Sequence, residues 1–433
     1  MTRDKLTISF WIYNYYYGCL PGEAYCDLEK CMAEMADRGF NTIRIDSGAG
    51  LCFDAQGNPR GELILHPPFP GYTKTRQQNF LQTPRKVDVL AKVIEVMTLA
   101  KRYHVKVILS SWFYLHTYWI TDDALKREFF SIPYERRLMR FAVENDRLLN
   151  LLRERGLTDA IAFVELMNEV NDLPIGLSAL SSPQEIINRK HAARRWHEEA
   201  LNYLRERHPD IPLAADTSRA ELPRPEILPG NIDVWNHHCY YLWNIYKTEF
   251  EQTHKEVYDF ERFAHQHPTI GRMLLPDSKG IDALYHDCGS DRDRPWGWYL
   301  RVWLYNNLTP EAVAELDQRF TIALKRDYDV YRQRLDDAIA CAADIHQWLC
   351  PHAAKVLGEG TTYCPTTDMR WEERSDEYWQ LIAHEAELLR DNGYLGWLPR
   401  TNNGPEDPSW NECADRFLHV NRIFLEDKRV TTP

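Results

Sequence analysis

The sequence predicts an α/β fold, a (β/α)8 barrel carrying one long insertion. Three observations lead there. Short β-type runs alternate with longer helical ones along the 433 residues. Eight such strand–helix units can be counted, the number that right-handed parallel crossovers close into a barrel. Several of the strand runs end abruptly in carboxylates or amides, as in FVELMNEV at 163–170. Ionised carboxylates are costly to bury and rarely end a core strand without a partner.

Residues 6–12 (LTISFWI) read as the first strand and 27–38 as its helix. NTIRID (41–46) makes the second strand, and a loop rich in Gly and Pro follows to about residue 83. A helix over 84–103 precedes HVKVILSSW (104–112), the third strand. A helix at about 134–155 leads to AIAFVELMN (160–168), the fourth. Residues 183–208 form a strongly charged helix, with Ser182 as N-cap and Pro183 at the first helical position, where a missing N–H costs nothing. IPLAADT (211–217) is the fifth strand and IDVWNHHCY (232–240) the sixth. A helix at about 321–349 leads to AAKVLGEG (353–360), the seventh; a helix at 372–391 leads to YLGWLPR (394–400), the eighth; a last helix closes at about 410–426.

The segment from about 242 to 330 breaks this rhythm and is too long for a simple loop. It holds a helical stretch (EFEQTHKEVYDFERFAHQH), an aromatic cluster (RPWGWYLRVWLYNN) and a helix start at Thr309-Pro310-Glu311. It is expected to be an insertion over the barrel mouth, so that residues 1–433 form one domain.

Net charge is −12, which argues against nucleic acid and anionic membrane surfaces as partners. No apolar run approaches the roughly 18 residues of a membrane helix, and MTRDKLTISFWIY reads as a charged lead into a strand rather than a signal peptide. The ten cysteines are scattered without tight metal-ligand spacing. Free thiols in a reducing cytoplasm account for them, so a cytoplasmic location is expected.

In such a barrel the active site lies at the C-terminal ends of the strands. Strand two ends in Arg44-Ile45-Asp46, strand three in Ser111-Trp112, strand four in Asn168-Glu169, strand six in His237-His238-Cys239-Tyr240-Tyr241, and strand seven in Gly358-Glu359-Gly360, while strand eight carries Trp397. Two carboxylates, Glu169 and Glu359, are thereby set across one mouth. A pair of carboxylates is what cleavage of a sugar bond requires: one protonates the leaving oxygen, the other attacks or activates water.

These residues resemble glycoside hydrolase clan A, the 4/7 superfamily, and most closely its cellulase-like members around family 5. Glu165-Leu166-Met167-Asn168-Glu169 is similar to the clan's Glu-x-x-Asn-Glu motif on strand four, and Val356-Leu357-Gly358-Glu359-Gly360 to its strand-seven motif. His238-Cys239-Tyr240 matches a His-x-Tyr on strand six. The resemblance implies that Glu169 is the acid/base and Glu359 the nucleophile of a retaining β-glycoside hydrolase, with carboxyls about 5–5.5 Å apart. It implies substrate-site roles for Asn168, Arg44, His238, Tyr240 and Trp397, the last flooring the bound sugar. Trp112 is a further candidate, because aromatic faces suit sugar C–H faces. The tyrosines at 13–17, and Phe113, Tyr114, Tyr118, Trp119, Tyr241 and Trp243, also follow strand ends. The chain departs from the clan's pattern at Val170, Asp46 and Gly360-Thr361-Thr362.

Each residue also has a plainer reading. Asn168-Glu169 could open an ordinary turn, Glu359 could sit in one, and Arg44 could form an internal salt bridge. Glu165, inside its strand, reads as a buried partner of a basic neighbour. His237, His238 and Cys239 raise the possibility of zinc, but adjacent strand residues point to opposite faces and cannot all converge. No metal and no cofactor is therefore expected, and the partner expected is a carbohydrate. The long loop after strand two and the 242–330 insertion would wall one end of the cleft, which favours exo action on short glycosides. Two alternatives stay open: a carbohydrate-binding barrel without turnover, and a metal-dependent barrel enzyme using His237 or His238.

Overall fold

The structure is a computed structural model that describes residues 4–69, 71–74, 76, 82–112, 117–170, 175–177, 180–218, 226–242, 245, 273–278, 296–361 and 366–426. Among the described residues ten strands are found in chain order: β1 (Leu6–Ile12), β2 (Thr42–Asp46), β3 (Glu62–Leu65), β4 (Arg85–Asp88), β5 (Lys106–Ser110), β6 (Ile161–Glu165), β7 (Leu213–Thr217), β8 (Val234–Cys239), β9 (Ala354–Gly360) and β10 (Gly396–Trp397). Eight of them close a parallel barrel in the order β1-β2-β5-β6-β7-β8-β9-β10, with β10 returning to β1. These are the eight predicted strands in the predicted order. Their apolar residues are buried on both faces, as parallel strands covered by helices must be. Gly396 lets the shortest strand fit: a Cβ there would come within 3.2 Å of Val356 and 3.3 Å of Leu6.

Two local expectations are corrected. The helix predicted over 84–103 begins at Val89, because Arg85–Asp88 pairs antiparallel with Glu62–Leu65 and Asp88 then caps the helix through the Ala91 N–H. The pairing partner lies 20 residues upstream, in what the sequence presents as loop. The helix predicted over 321–349 is two helices, Pro310–Arg326 and Tyr328–Leu349, since Asp327 (φ −109°, ψ 21°) leaves helical geometry. Thr309 caps the first of them through the Ala312 N–H. Ser182 stands at the N-cap position before Pro183, but its side chain makes no capping hydrogen bond.

Loops above the C-terminal ends of the strands are knitted together on one side. The Lys74 N–H, after β2, donates to Asn306 Oδ1 at 2.9 Å, in the helix Trp296–Asn307 that follows β8. Thr367, after β9, donates its N–H to the Lys74 carbonyl at 2.8 Å. The helical stretch expected at 249–267 lies outside the described residues. Among the described residues no helix is long and apolar enough to cross a membrane.

Candidate active site

Alternation along β2 turns Arg44 into the barrel, where it is fully buried. Its Nη1 donates to Glu359 Oε1 at 3.1 Å, and its Nη2 lies 2.6 Å from Glu165 Oε1, 2.7 Å from Asn168 Oδ1 and 2.9 Å from Asp216 Oδ2. Burial opposes the guanidinium charge, but Glu165, Asp216 and Glu359 outweigh it and raise Arg44 above its ordinary value. Trp112 lies beneath, with its ring centre 4.8 Å from the guanidinium carbon. Glu165 is the buried partner expected of it, also accepting from Ser110 Oγ and from Asn236 Nδ2.

Glu169 follows β6 in a left-handed backbone conformation, φ +49°, which a residue with a Cβ adopts only where its surroundings enforce it. Its N–H is held by Asp216 Oδ1 at 3.0 Å. Its carboxylate Oε1 lies 2.9 Å from His238 Nδ1, and 28% of the side chain remains exposed. Left-handed φ values recur at Ile12 and Thr361, so three strand ends at this mouth carry backbone strain. Glu359 lies on β9, where Gly358 allows close packing on β8: a Cβ at 358 would fall 2.1 Å from Asn236 Oδ1. The Tyr240 hydroxyl donates to Glu359 Oε2 at 2.6 Å. Burial pushes the Glu359 carboxyl upward, while the charges of His238 and Arg44 and the Tyr240 hydrogen bond pull against it.

His238 bridges two carboxylates, with Nδ1 on Glu169 and Nε2 2.9 Å from Asp216 Oδ2. Burial disfavours its charged form, but Asp216 and Glu359 more than reverse this and raise the imidazole well above its ordinary value. For Asp216 the upward push of burial is outweighed by His238 and Arg44, which hold it below the usual carboxylate range. One ligand-type atom from each of Glu169, His238 and Glu359 lies within 4.8 Å of the others. That spacing would admit a cation, although His238 would first have to release a carboxylate.

The structure thus brings together Arg44, Asn168, Glu169, His238, Tyr240 and Glu359. It does not bring in Trp397. That side chain has no exposed surface; its ring meets Phe424 at 5.6 Å and its Nε1 donates to Glu385, both on helices outside the barrel. It points the wrong way to floor a sugar. Trp112 is 1% exposed and supports Arg44 rather than lining an open subsite. The tyrosines at 13, 15, 16 and 17 and Tyr241 are likewise buried. Phe113, Tyr114 and Trp243, and the side chains of Tyr118 and Trp119, lie outside the described residues. His237 faces away from His238: its Nε2 meets the Tyr394 hydroxyl at 2.8 Å, and burial pushes its pKa down to about 3. The two histidines therefore cannot share a metal.

Asp216 is the site residue that the sequence reading missed. The available signal was a carboxylate within the apolar run LAADT, at the end of the fifth barrel strand. A cavity of about 630 Å³ lies elsewhere, between the helices Tyr134–Glu154 and Pro183–Arg207. Its Arg140 is already paired with Glu144 and Glu128, so the chemistry, not this cavity, locates the candidate site.

Comparison with known proteins bears on the fold and the family. A candidate glycoside hydrolase from Parabacteroides distasonis superposes with a TM-score of 0.65 at 17% identity, over 98% of this chain and 94% of that one. An exo-β-1,4-mannosidase from an Opitutaceae bacterium gives 0.48 at 15% identity, over 97% and 60%. A glycoside hydrolase family 5 enzyme from Prevotella bryantii gives 0.47 at 12%, over 91% and 86%. No curated protein matches the sequence. The model of one sequence family, described as sugar-binding cellulase-like, matches residues 8–276, which is more than half of the chain and includes Glu169. The chain belongs to that cellulase-like family.

Proposed function

We propose that this protein is a retaining hydrolase of β-linked glycosides, acting by double displacement. The observation that carries the reading is the approach of Glu169 and Glu359 to within 4.8 Å, from opposite sides of one mouth. Retaining enzymes hold their two carboxyl groups about 5–5.5 Å apart, and inverting ones leave further room for water. Glu359 attacks the anomeric carbon. Glu169 protonates the leaving oxygen and then takes a proton from the water that releases the sugar. Arg44 and Tyr240 favour the ionised form of Glu359 by charge and hydrogen bonding. Asn168, its Oδ1 held by Arg44, offers its Nδ2 to a sugar hydroxyl beside the anomeric centre.

The knitting of the loops after β2, β8 and β9 through Lys74, Asn306 and Thr367 supports a mouth walled on one side, with the segment from 242 to 330 contributing to the wall. A one-sided wall favours removal of terminal sugars. Trp303 of that segment is buried, and the side chains of Trp296 and Trp298 lie outside the described residues. The ten cysteines are scattered along the chain without tight spacing, which supports a reducing, intracellular setting.

A screen of aryl β-glucosides, β-galactosides, β-mannosides and β-xylosides tests the reading, with product stereochemistry followed by NMR. Release of the retained anomer is expected. Binding of sugars without any turnover would replace this reading with that of a carbohydrate-binding barrel. Activity abolished by chelator would point to metal chemistry.

A further inference from the structure

Asp216 takes no part in the double displacement, yet it touches the supports of both carboxylates. Its Oδ2 accepts from His238 Nε2 and from Arg44 Nη2, each at 2.9 Å, and its Oδ1 accepts from the Glu169 N–H at 3.0 Å. We propose that Asp216 is a positioning residue for the acid/base: it holds His238 protonated on both nitrogens, so that Oε1 of Glu169 must accept and the transferable proton sits on Oε2. The kinetic part of this inference rests on the hydrolase reading, while the protonation of His238 stands apart from it.

The argument is one of hydrogen-bond accounting. His238 is faced by Asp216, Glu169, Glu359 at 3.8 Å and the ring edge of Tyr240, with Arg44 beyond Asp216. Were Nδ1 without a proton, Glu169 would have to supply one from Oε1, and that proton would be spent inside the protein. With both ring nitrogens protonated, Oε1 only accepts, and Oε2 is left to serve the sugar. A buried imidazolium is costly unless an anion faces it, and Asp216 is fully buried beside it. Orientation of an imidazole by a buried aspartate is an established device for setting which nitrogen carries a proton.

The steps balance without titrating this pair. In the first, the bond from Glu359 to the anomeric carbon forms as the glycosidic C–O bond breaks, and the leaving oxygen takes the Oε2 proton. In the second, water bonds to the anomeric carbon, its proton returns to Oε2, and the Glu359 ester bond breaks. His238 and Asp216 keep their protonation throughout.

Asp216→Asn preserves the volume and removes the charge. In protein labelled with ¹⁵N-histidine, the His238 signals are assigned by their loss in His238→Gln. The wild type is expected to show both His238 nitrogens protonated at neutral pH, and Asp216→Asn to show one unprotonated. In kcat/KM, the variant should lose at least about tenfold more on alkyl glycosides, which need the acid, than on dinitrophenyl glycosides, which do not. A merely structural role would lower both alike. An unprotonated His238 nitrogen in the wild type, or equal losses on the two substrates, overturns the proposal. If Asp216→Asn does not fold, the wild-type spectrum decides. If the wild type cleaves no glycoside, the hydrolase reading fails while the spectrum still judges Asp216 and His238.

Discussion

Arg44 and Arg400 are both fully buried among carboxylates, one beneath the barrel mouth and the other after β10. Arg400 holds Glu372 at 2.6 Å and Glu373 at 2.9 Å, and Arg76 joins Glu373 to Asp407 at 2.7 and 3.1 Å. In this second cluster no charged side chain is more than 3% exposed. Arg76 also donates to the carbonyls of Thr366 and Met369, so the cluster fastens the loop after β2 to the segments after β9 and β10. Around Arg44, by contrast, Glu169 is 28% and Glu359 9% exposed, and the two face each other. A buried ion-pair network is thus not in itself a site. What separates the two regions is whether the carboxylates present an open face to something that can enter.

That contrast can be broken by substitution. The largest effect should come from Glu359→Ala. Loss of the proposed attacking atom should cost every cleaved glycoside roughly 10⁵-fold or more in kcat, the scale seen when a nucleophile is removed. Azide, entering the vacated side, should yield the inverted glycosyl azide, which NMR of the product identifies. Glu169→Ala should cost poor leaving groups about 10²–10⁴-fold and leave formation of the glycosyl-enzyme from activated aryl glycosides far less affected. Azide should then give the retained product, and the opposite pair of stereochemical outcomes would exchange the two roles.

Arg400→Leu should act on stability instead. Removing one partner of a buried pair strands the others, at a cost of about 3–5 kcal/mol, readable as a shift in the denaturant midpoint. The folded fraction should keep the wild-type preference among leaving groups; a changed preference would mean that the second cluster reaches the chemistry.

A graded effect, spread over several pH units, sharpens the same contrast. Burial pushes Glu372 up to about 8, against the pull of Arg400. Its folded pKa then exceeds its unfolded one, so the folded state holds a proton that the unfolded state releases. Stability from this group is full below about pH 4.5 and declines as pH rises toward 8, by up to about 1.4 kcal/mol per unit. Glu372→Gln should flatten that decline in chemical denaturation across pH. A slope unchanged by the substitution would place the titration elsewhere.

Most of the barrel was legible because a strand buried on both faces and a helix with one wet face leave different periods in the sequence. Glu169 and Glu359 were legible because each breaks an apolar run at a strand end. Trp397 was misread because adjacent strand residues face opposite ways and a one-residue difference in register exchanges inside for outside. β10 is only two residues long, Gly396–Trp397, and offers no alternation to read. Asp216 carries the same signal, a carboxylate ending the apolar run LAADT, but nothing local shows that it will receive three donors.

The sequence by itself determined the order of the strands, the end of the barrel that carries the polar groups, and the two carboxylates placed there. These follow from local pattern, since periodicity and strand ends are properties of neighbouring residues. Only the tertiary structure decided that Arg44 and Glu359, 315 residues apart, share a hydrogen bond, and that Asp216 reaches both His238 and the backbone of Glu169. It also decided that the tryptophan of β10 looks outward. Barrel closure sets these distances by bringing distant strand ends onto one ring. Chain neighbours carry no record of which side chains will then meet across it.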